Sequence, residues 1–158
     1  MALIETKIRE ADNIVNKYMI SSMGVGLLPI PLADLIILSS LKLKMLHRLA
    51  NLYGIAFSKH LSKSLIASLL GGGASLSFSY GLVSLTKSVP LYGQLTGMIS
   101  ISIFGGASTY AIGKVFTQHF ESGGTFLTFE PQKVADYYAE QFEKGIEKVK
   151  KSSVGIKP

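Results

Sequence analysis

Cysteine and tryptophan are absent from this 158-residue chain, acidic residues are absent from more than half of it, and charged residues of either sign make up only 16%. Without cysteine there is no disulfide scaffold, no thiolate metal site and no cysteine nucleophile. The charged fraction lies well below the roughly 25% usual in soluble domains, while 47% of side chains are hydrophobic and the mean hydropathy is +0.36. Between Asp34 and Glu121 run 86 residues with no acid, which hold Lys42, Lys44, Arg48, Lys59, Lys63, Lys87 and Lys114. The remainder has nine bases against ten acids, so the net charge of +6 belongs wholly to the middle of the chain. A basic centre between neutral ends lacks the charged arm or face of a nucleic-acid binder, and no nucleic-acid partner is expected.

What the middle has instead is apolar length. Ser64–Thr86 is 23 residues without a charge and Ser88–Gly113 is 26 more, with Lys87 alone between them. At 1.5 Å per residue the first run makes a helix of about 35 Å, enough for a hydrocarbon core of about 30 Å. Pro90 opens the second run in a place where its missing N–H costs nothing. The pair reads as a transmembrane helical hairpin, 59–88 and 91–120, with its turn around Lys87-Ser-Val-Pro90. The competing reading is a domain in which two helices are buried as core, and the many serines of the first run favour it.

Small residues recur at helical spacing through this region. Gly73, Ser77 and Gly81 step by four, as do Gly105, Thr109 and Gly113, and Gly93 and Gly97 make a GxxxG. In lipid such residues let helix backbones approach closely, so these eight are the expected helix-packing positions.

The rest of the chain completes one all-α domain over residues 1–158. No cleavable signal is expected at the start, because Glu5, Glu10 and Asp12 stand where one would be basic and then apolar. Ile4, Ile8, Ala11, Val15 and Tyr18 form an amphipathic stripe on a helix expected over 2–27. Gly24, Gly26, Pro29 and Pro31 then break an apolar stretch, giving a Pro-broken hairpin with a second helix over 32–54. That helix has Leu38, Leu41, Met45, Leu49 and Leu52 on one side and Ser40, Lys44, His47, Arg48 and Asn51 on the other, a basic amphipathic pattern suited to lipid headgroups. Lys42, Lys44, Arg48, Lys59, Lys63 and Lys114 are the expected headgroup contacts. After a flexible turn at 121–124 and a short apolar linker at 125–129, Glu130-Pro131 starts a terminal amphipathic helix over 131–151. Five bases lie between 35 and 63, before the charge-free runs, Lys114 follows them and the turn has only Lys87, so the positive-inside rule puts both termini in the cytoplasm.

Catalytic patterns fail one by one. Gly81–Ser88 resembles a P-loop, but Thr86 replaces its second glycine and no strand precedes it. Gly24-Val-Gly26 lacks the last glycine of a dinucleotide fingerprint. His47, His60 and His119 are too scattered for a metal site, and neither a nucleophile elbow nor a close carboxylate pair is present. No enzyme, metal or cofactor is expected. Asp34, following the Pro-rich turn, is either a helix N-terminal carboxylate favoured by the dipole or an ionisable group at membrane depth that pairs with Lys17 or Lys87. Asp34 and Lys87 are therefore the candidate functional residues.

Gly26-Leu-Leu-Pro-Ile-Pro-Leu-Ala-Asp34, Met45-Leu-His-Arg-Leu-Ala-x-x-Tyr-Gly54, Lys87-Ser-Val-Pro90 with Gly93 and Gly97, and Thr109-Tyr-Ala-Ile-Gly113 with Phe116 and Phe120 resemble, in order and spacing, the bacterial membrane family called domain of unknown function 697. The resemblance covers about residues 10–125. It implies a helical, membrane-associated unit of the bacterial inner membrane, often fused behind a Ras-like GTPase domain and with no assigned catalytic residues. This chain has no complete P-loop, so a GTPase partner would be a separate protein. The expected function is a non-enzymatic membrane domain that contacts lipid, forms homo-oligomers and couples to a cytoplasmic partner, with such a GTPase as the candidate. The alternative is an oligomeric channel or pore lined by the small-residue faces.

Overall fold

The computed structural model describes residues 1–25, 31–71 and 95–154, with the side chains of 31–35, 95–100 and 154 excepted. Five helices account for most of them: α1 (Ala2–Val25), α2 (Pro31–Tyr53), α3 (59–71), α4 (Leu95–Glu121) and α5 (Ala135–Val154), the last led in by a 3-10 turn at Pro131–Val134. No strand occurs among the described residues, and the chain is all-α.

Helix α4 is the axis. Ala107, Tyr110, Ala111, Ile112, Val115 and Phe116 are all buried in one core, because α1, α2 and α5 all pack on α4. The stripe on α1 steps through Ala11, Val15, Met19, Ser22 and Met23, all buried. On α2 the inward residues are Leu38, Met45, Leu46, Leu49 and Ala50. Glycines on α4 fix how closely these faces come. A methyl group at Gly113 would lie 2.6 Å from Val15 and 3.2 Å from Met45, and one at Gly105 would lie 3.2 Å from Leu38 and 3.3 Å from the Ser22 carbonyl oxygen. These two contact levels make α1 antiparallel to α2, and α2 parallel to α4.

Helix ends are set by local chemistry. Gly54 closes α2 at φ +69°, with the Ile55 N–H donating to the Ala50 carbonyl, and Gly123 closes α4 at φ +83°, with the Gly124 N–H donating to the His119 carbonyl. Both glycines supply the left-handed conformation that such a cap requires. The segment after α4 then folds back on the bundle. Phe126 and Phe129 are buried against Phe116 and Phe120, with the Phe116 and Phe129 rings stacked at 4.3 Å. His119 Nε2 shares a hydrogen bond of 2.8 Å with the Thr125 carbonyl, and Gly124 lies directly against the imidazole. The apolar linker expected at 125–129 is thus part of the core.

Polar groups inside the bundle are mostly paired. Thr109 Oγ1 donates to Ser22 Oγ at 2.9 Å and Ser102 Oγ donates to the Met23 carbonyl at 2.8 Å, tying α4 to α1. Among the described residues the Thr117 hydroxyl oxygen is the one fully enclosed side-chain polar atom with no hydrogen-bond partner. Leaving such a group unsatisfied costs about 1–3 kcal/mol, and an apolar group of the same shape avoids that cost. Thr117→Val is therefore expected to stabilise the fold by about 1 kcal/mol, a rise of roughly 2–4 °C in Tm for a chain of this size. Thermal unfolding of the full chain checks it, and an unchanged or lower Tm refutes it.

No helix among the described residues is long and apolar enough to cross a membrane. The turn of the expected hairpin, Lys87–Pro90, lies outside those residues. Of its two arms, α3 is described over only 13 residues. Helix α4 has the length at 27 residues, but Ser102, Ser108, Thr109 and Thr117 dilute its apolar content, and from Gly105 to Thr117 nearly every residue is covered by neighbouring helices. There the small residues of α4 serve contacts inside a helical bundle.

Candidate functional site

The bundle has two chemically different ends. Because α1 and α2 are antiparallel, the C-terminal end of α1, the N-terminal end of α2 and the N-terminal end of α4 meet at one of them. Ile20, Ile36, Ile37, Ile101 and Phe104 lie there with their side chains exposed, Ile36 at 70% and Ile20 at 56%. A soluble monomer scatters exposed apolar side chains, whereas a contiguous group marks a contact surface. Helix α4, whose first residues belong to the charge-free run of the sequence, enters the described structure at this same end, at Leu95. The opposite end holds the charges of α1, including Glu5, Lys7, Arg9, Glu10 and Asp12, interleaved with exposed Leu3, Ile4 and Ile8. There Tyr53 Oη donates to Glu121 Oε1 at 2.8 Å, linking α2 to α4. Burial, and after it this bond to the carboxylate, raises the Tyr53 phenol above its usual range.

Between the two ends runs a belt of bases with differing surroundings. Lys114, on α4, donates to Asp12 on α1 at 2.7 Å. Lys148, on α5, lies over the Tyr110 ring at 4.8 Å from its centre. Lys44, Arg48, Lys59 and Lys63 are exposed, as headgroup contacts would be. Lys42 departs from that expectation, since it is only 3% exposed. The physical reason is register: Lys42 is four residues after Leu38 and three before Met45, so it shares their inward stripe. It falls between the two contact levels of Gly105 and Gly113, at the height of Thr109. No carboxylate or hydrogen-bond partner meets it among the described residues, and desolvation alone lowers its ammonium to a pKa of about 8.

A groove of about 440 Å³ opens between the outer faces of α1 and α2. Helix α1 contributes Glu10, Asn13, Ile14 and Lys17, spaced i, i+3, i+4 and i+7, and α2 contributes Arg48, Asn51 and Leu52, spaced i, i+3 and i+4. Each set is one helical face. Ile14 and Leu52 are half-buried and form the floor, while the polar side chains are exposed. Glu10, Lys17 and Arg48 make no ion pair with one another or with any other described residue, so their charges remain open to a ligand. The sequence pattern marked Arg48 as a headgroup contact and Lys17 only as a possible partner of Asp34, and gave Glu10 no role in a site. The i, i+7 spacing of Glu10 and Lys17 was the available signal, hidden because the facing helix has to be known before a groove can be seen.

The other expected positions divide simply. Asp34 lies in the first turn of α2, and its side chain is outside the described residues. Lys87, Gly73, Ser77, Gly81 and Gly93 are also outside them. Gly97 is in the first turn of α4, and Gly105, Thr109 and Gly113 line the buried side of that helix. No group of three or more His, Asp or Glu able to hold a metal occurs among the described residues.

Residues 2–146 match the family described as Domain of unknown function (DUF697), and the chain belongs to that family. It is also 40% identical over 139 residues to "Magnetosome membrane protein 22" of Magnetospirillum gryphiswaldense, an alignment that covers 85% of this chain and 70% of that protein. No solved structure matches.

Proposed function

We infer that this protein is a non-enzymatic, membrane-associated helical domain of the bacterial inner membrane, with its apolar end in the bilayer and its charged end in the cytoplasm. The observation that carries this reading is the difference in charge between the ends: exposed Ile20, Ile36, Ile37, Ile101 and Phe104 lie at one end with no described charge among them, whereas at the other the exposed Leu3, Ile4 and Ile8 are interleaved with acids and bases. Lysine and arginine beside an apolar surface match the anionic cytoplasmic leaflet. The name of the magnetosome relative agrees with a membrane location. The hairpin that enters the bilayer is drawn from the charge-free run, with the Gly105–Phe120 part of α4 held in the bundle outside it. Both termini then lie on the cytoplasmic side. Self-association through small residues of the hairpin, and coupling of the charged end to a separate cytoplasmic partner such as a GTPase, complete the reading.

Flotation on lipid vesicles and resistance to carbonate extraction test it. The wild-type chain should float and stay with the membrane pellet. Ile36→Asp/Ile37→Asp, which places two charges at a position where each costs about 3 kcal/mol in hydrocarbon, should shift most of the protein to the supernatant with its helix content retained. Wild-type protein released by carbonate, or a double variant that floats as before, overturns the reading.

A further inference from the structure

The α1–α2 groove orders its charges along the bundle axis. Val15 is level with Met45, and Ser22 with Leu38, so Lys17 is the groove residue nearest the apolar end. Asn13 and Arg48 come next, then Glu10, with Asn51 and Leu52 just beyond it. At 1.5 Å per residue Lys17 is only about 5 Å along the axis from exposed Ile20, and Glu10 is about 10 Å beyond Lys17. The polar layer on each side of a bilayer is roughly 5–8 Å deep, so the groove begins where headgroups begin. A ligand rooted at the apolar end meets two cations and one amide first, then a carboxylate with a second amide beside it.

We propose that this groove binds the headgroup of a phospholipid whose phosphate bears a primary amine, phosphatidylethanolamine, with the phosphate between Lys17 and Arg48 and the ammonium at Glu10. The order of charge selects this occupant. A phosphodiester accepts from Arg48 and Lys17 in the charge-assisted geometry both cations favour. The two-carbon link then carries the ammonium outward, toward the only carboxylate in the lining. The Asn13 amide donates to the phosphate, Ile14 packs against the glycerol methylenes, and Asn51 and Leu52 lie at the ethanolamine end beside Glu10. A headgroup ending in glycerol would bring no cation to Glu10, and an added carboxylate would be repelled by it. The assignment rests on the membrane reading above, which supplies the end from which the lipid enters.

Native mass spectrometry of the full chain in detergent, titrated with phosphatidylethanolamine or phosphatidylglycerol, tests it. The wild type should retain the first about tenfold more tightly. Glu10→Gln should remove that preference and leave phosphatidylglycerol binding as it was. Lys17→Gln and Arg48→Gln should each weaken both lipids about tenfold, the loss expected for one charge-assisted contact. All three side chains are exposed, so unchanged circular dichroism should accompany each variant. Equal retention of the two lipids by the wild type, or wild-type retention by the lysine and arginine variants, overturns the proposal. So does free phosphoethanolamine binding as tightly as the lipid, which would make the occupant a soluble phosphate ester. Flotation on phosphatidylcholine vesicles separates the two readings: a chain that floats without lipid preference has lost only the groove assignment, and one that does not float has lost the membrane reading.

Discussion

Gly145→Leu is expected to detach α5 from the rest of the bundle. Gly145 faces Ala107 on α4, and a methyl group there would sit 2.9 Å from both the Ala107 Cα and its carbonyl oxygen, with the Tyr110 ring at 3.2 Å. The clash is with backbone, so no side-chain rotation relieves it. The glycine also costs about 1 kcal/mol in the middle of a helix relative to alanine, and the close contact offsets that loss. Overpacking a tight core commonly costs about 1–3 kcal/mol, and more where the opposing atoms cannot move. Moving α5 outward would also uncover Tyr138, Gln141 and Val149, all buried now. A loss of about 3 kcal/mol or more follows, a fall of at least roughly 6 °C in Tm by size scaling. Amide hydrogen exchange should rise over Ala135–Val154 and remain slow in α1 and α2. Gly145→Ala should move in the same direction by less, because its helix-propensity gain partly offsets the clash. If the leucine variant keeps wild-type stability and exchange, α4 and α5 do not meet as tightly as the geometry requires.

That contact also shows what sequence pattern conveys and where it stops. The all-α class and the family follow from apolar periodicity, proline placement and ordered short motifs. The partner of each small-residue stripe does not follow from them. Gly105, Thr109 and Gly113 step by four whether the surface they meet belongs to a lipid-embedded helix or to Val15 and Leu38 of a bundle. Close backbone approach needs glycine in both environments. Length has the same ambiguity, since α4 is long enough to span a bilayer and yet is the core of a helical assembly over its second half. What separates the two cases is the charge on the neighbouring helices. The Asp12 carboxylate that receives Lys114 comes from 102 residues away, and no window of sequence holds both.

The candidate site was partly legible for a related reason. A charge-free run and its basic flanks are one-dimensional features and can be read directly, whereas the exposed group of Ile20, Ile36, Ile37, Ile101 and Phe104 is gathered from three helices. The groove is two-dimensional, because it needs the Glu10–Lys17 face of α1 set against the Arg48–Leu52 face of α2. Likewise 125–129 looks like a linker until Phe126 and Phe129 are seen against Phe116, since two phenylalanines three apart have no strong period of their own. Lys42 was misplaced among the headgroup bases because residue type outweighed register: its neighbours at i−4 and i+3 already put it inside.

Lys42→Met should stabilise the protein and change the shape of its stability against pH. The Lys42 ammonium is buried without a counter-charge among the described residues, and its pKa falls from 10.5 to about 8 through desolvation. In the unfolded chain the side chain holds its proton up to about pH 10.4, whereas in the folded protein it releases the proton near 8. Between those values the unfolded state binds more protons, so wild-type stability rises with pH there. Below pH 8 both states are protonated and the cost of the buried charge is present in full, on the order of 3 kcal/mol for a shift of this size. Above about pH 10 the tyrosines act in the opposite direction. Tyr53 and Tyr138 have phenols held neutral in the fold, chiefly by burial, so the unfolded chain ionises first and stability declines. The wild type should therefore show a stability maximum near pH 10. Methionine has similar length, no charge and no need for a partner. At pH 7 the variant should be about 2–3 kcal/mol more stable, since replacing a buried uncompensated charge by an apolar side chain removes the desolvation cost. It should also have a flat profile from pH 7 to 9.5, where the wild type climbs. Denaturant unfolding at several pH values measures both quantities. A Lys42→Met chain that is less stable at pH 7 and keeps the alkaline rise would mean that the ammonium is paired in solution and that the gain belongs to another group.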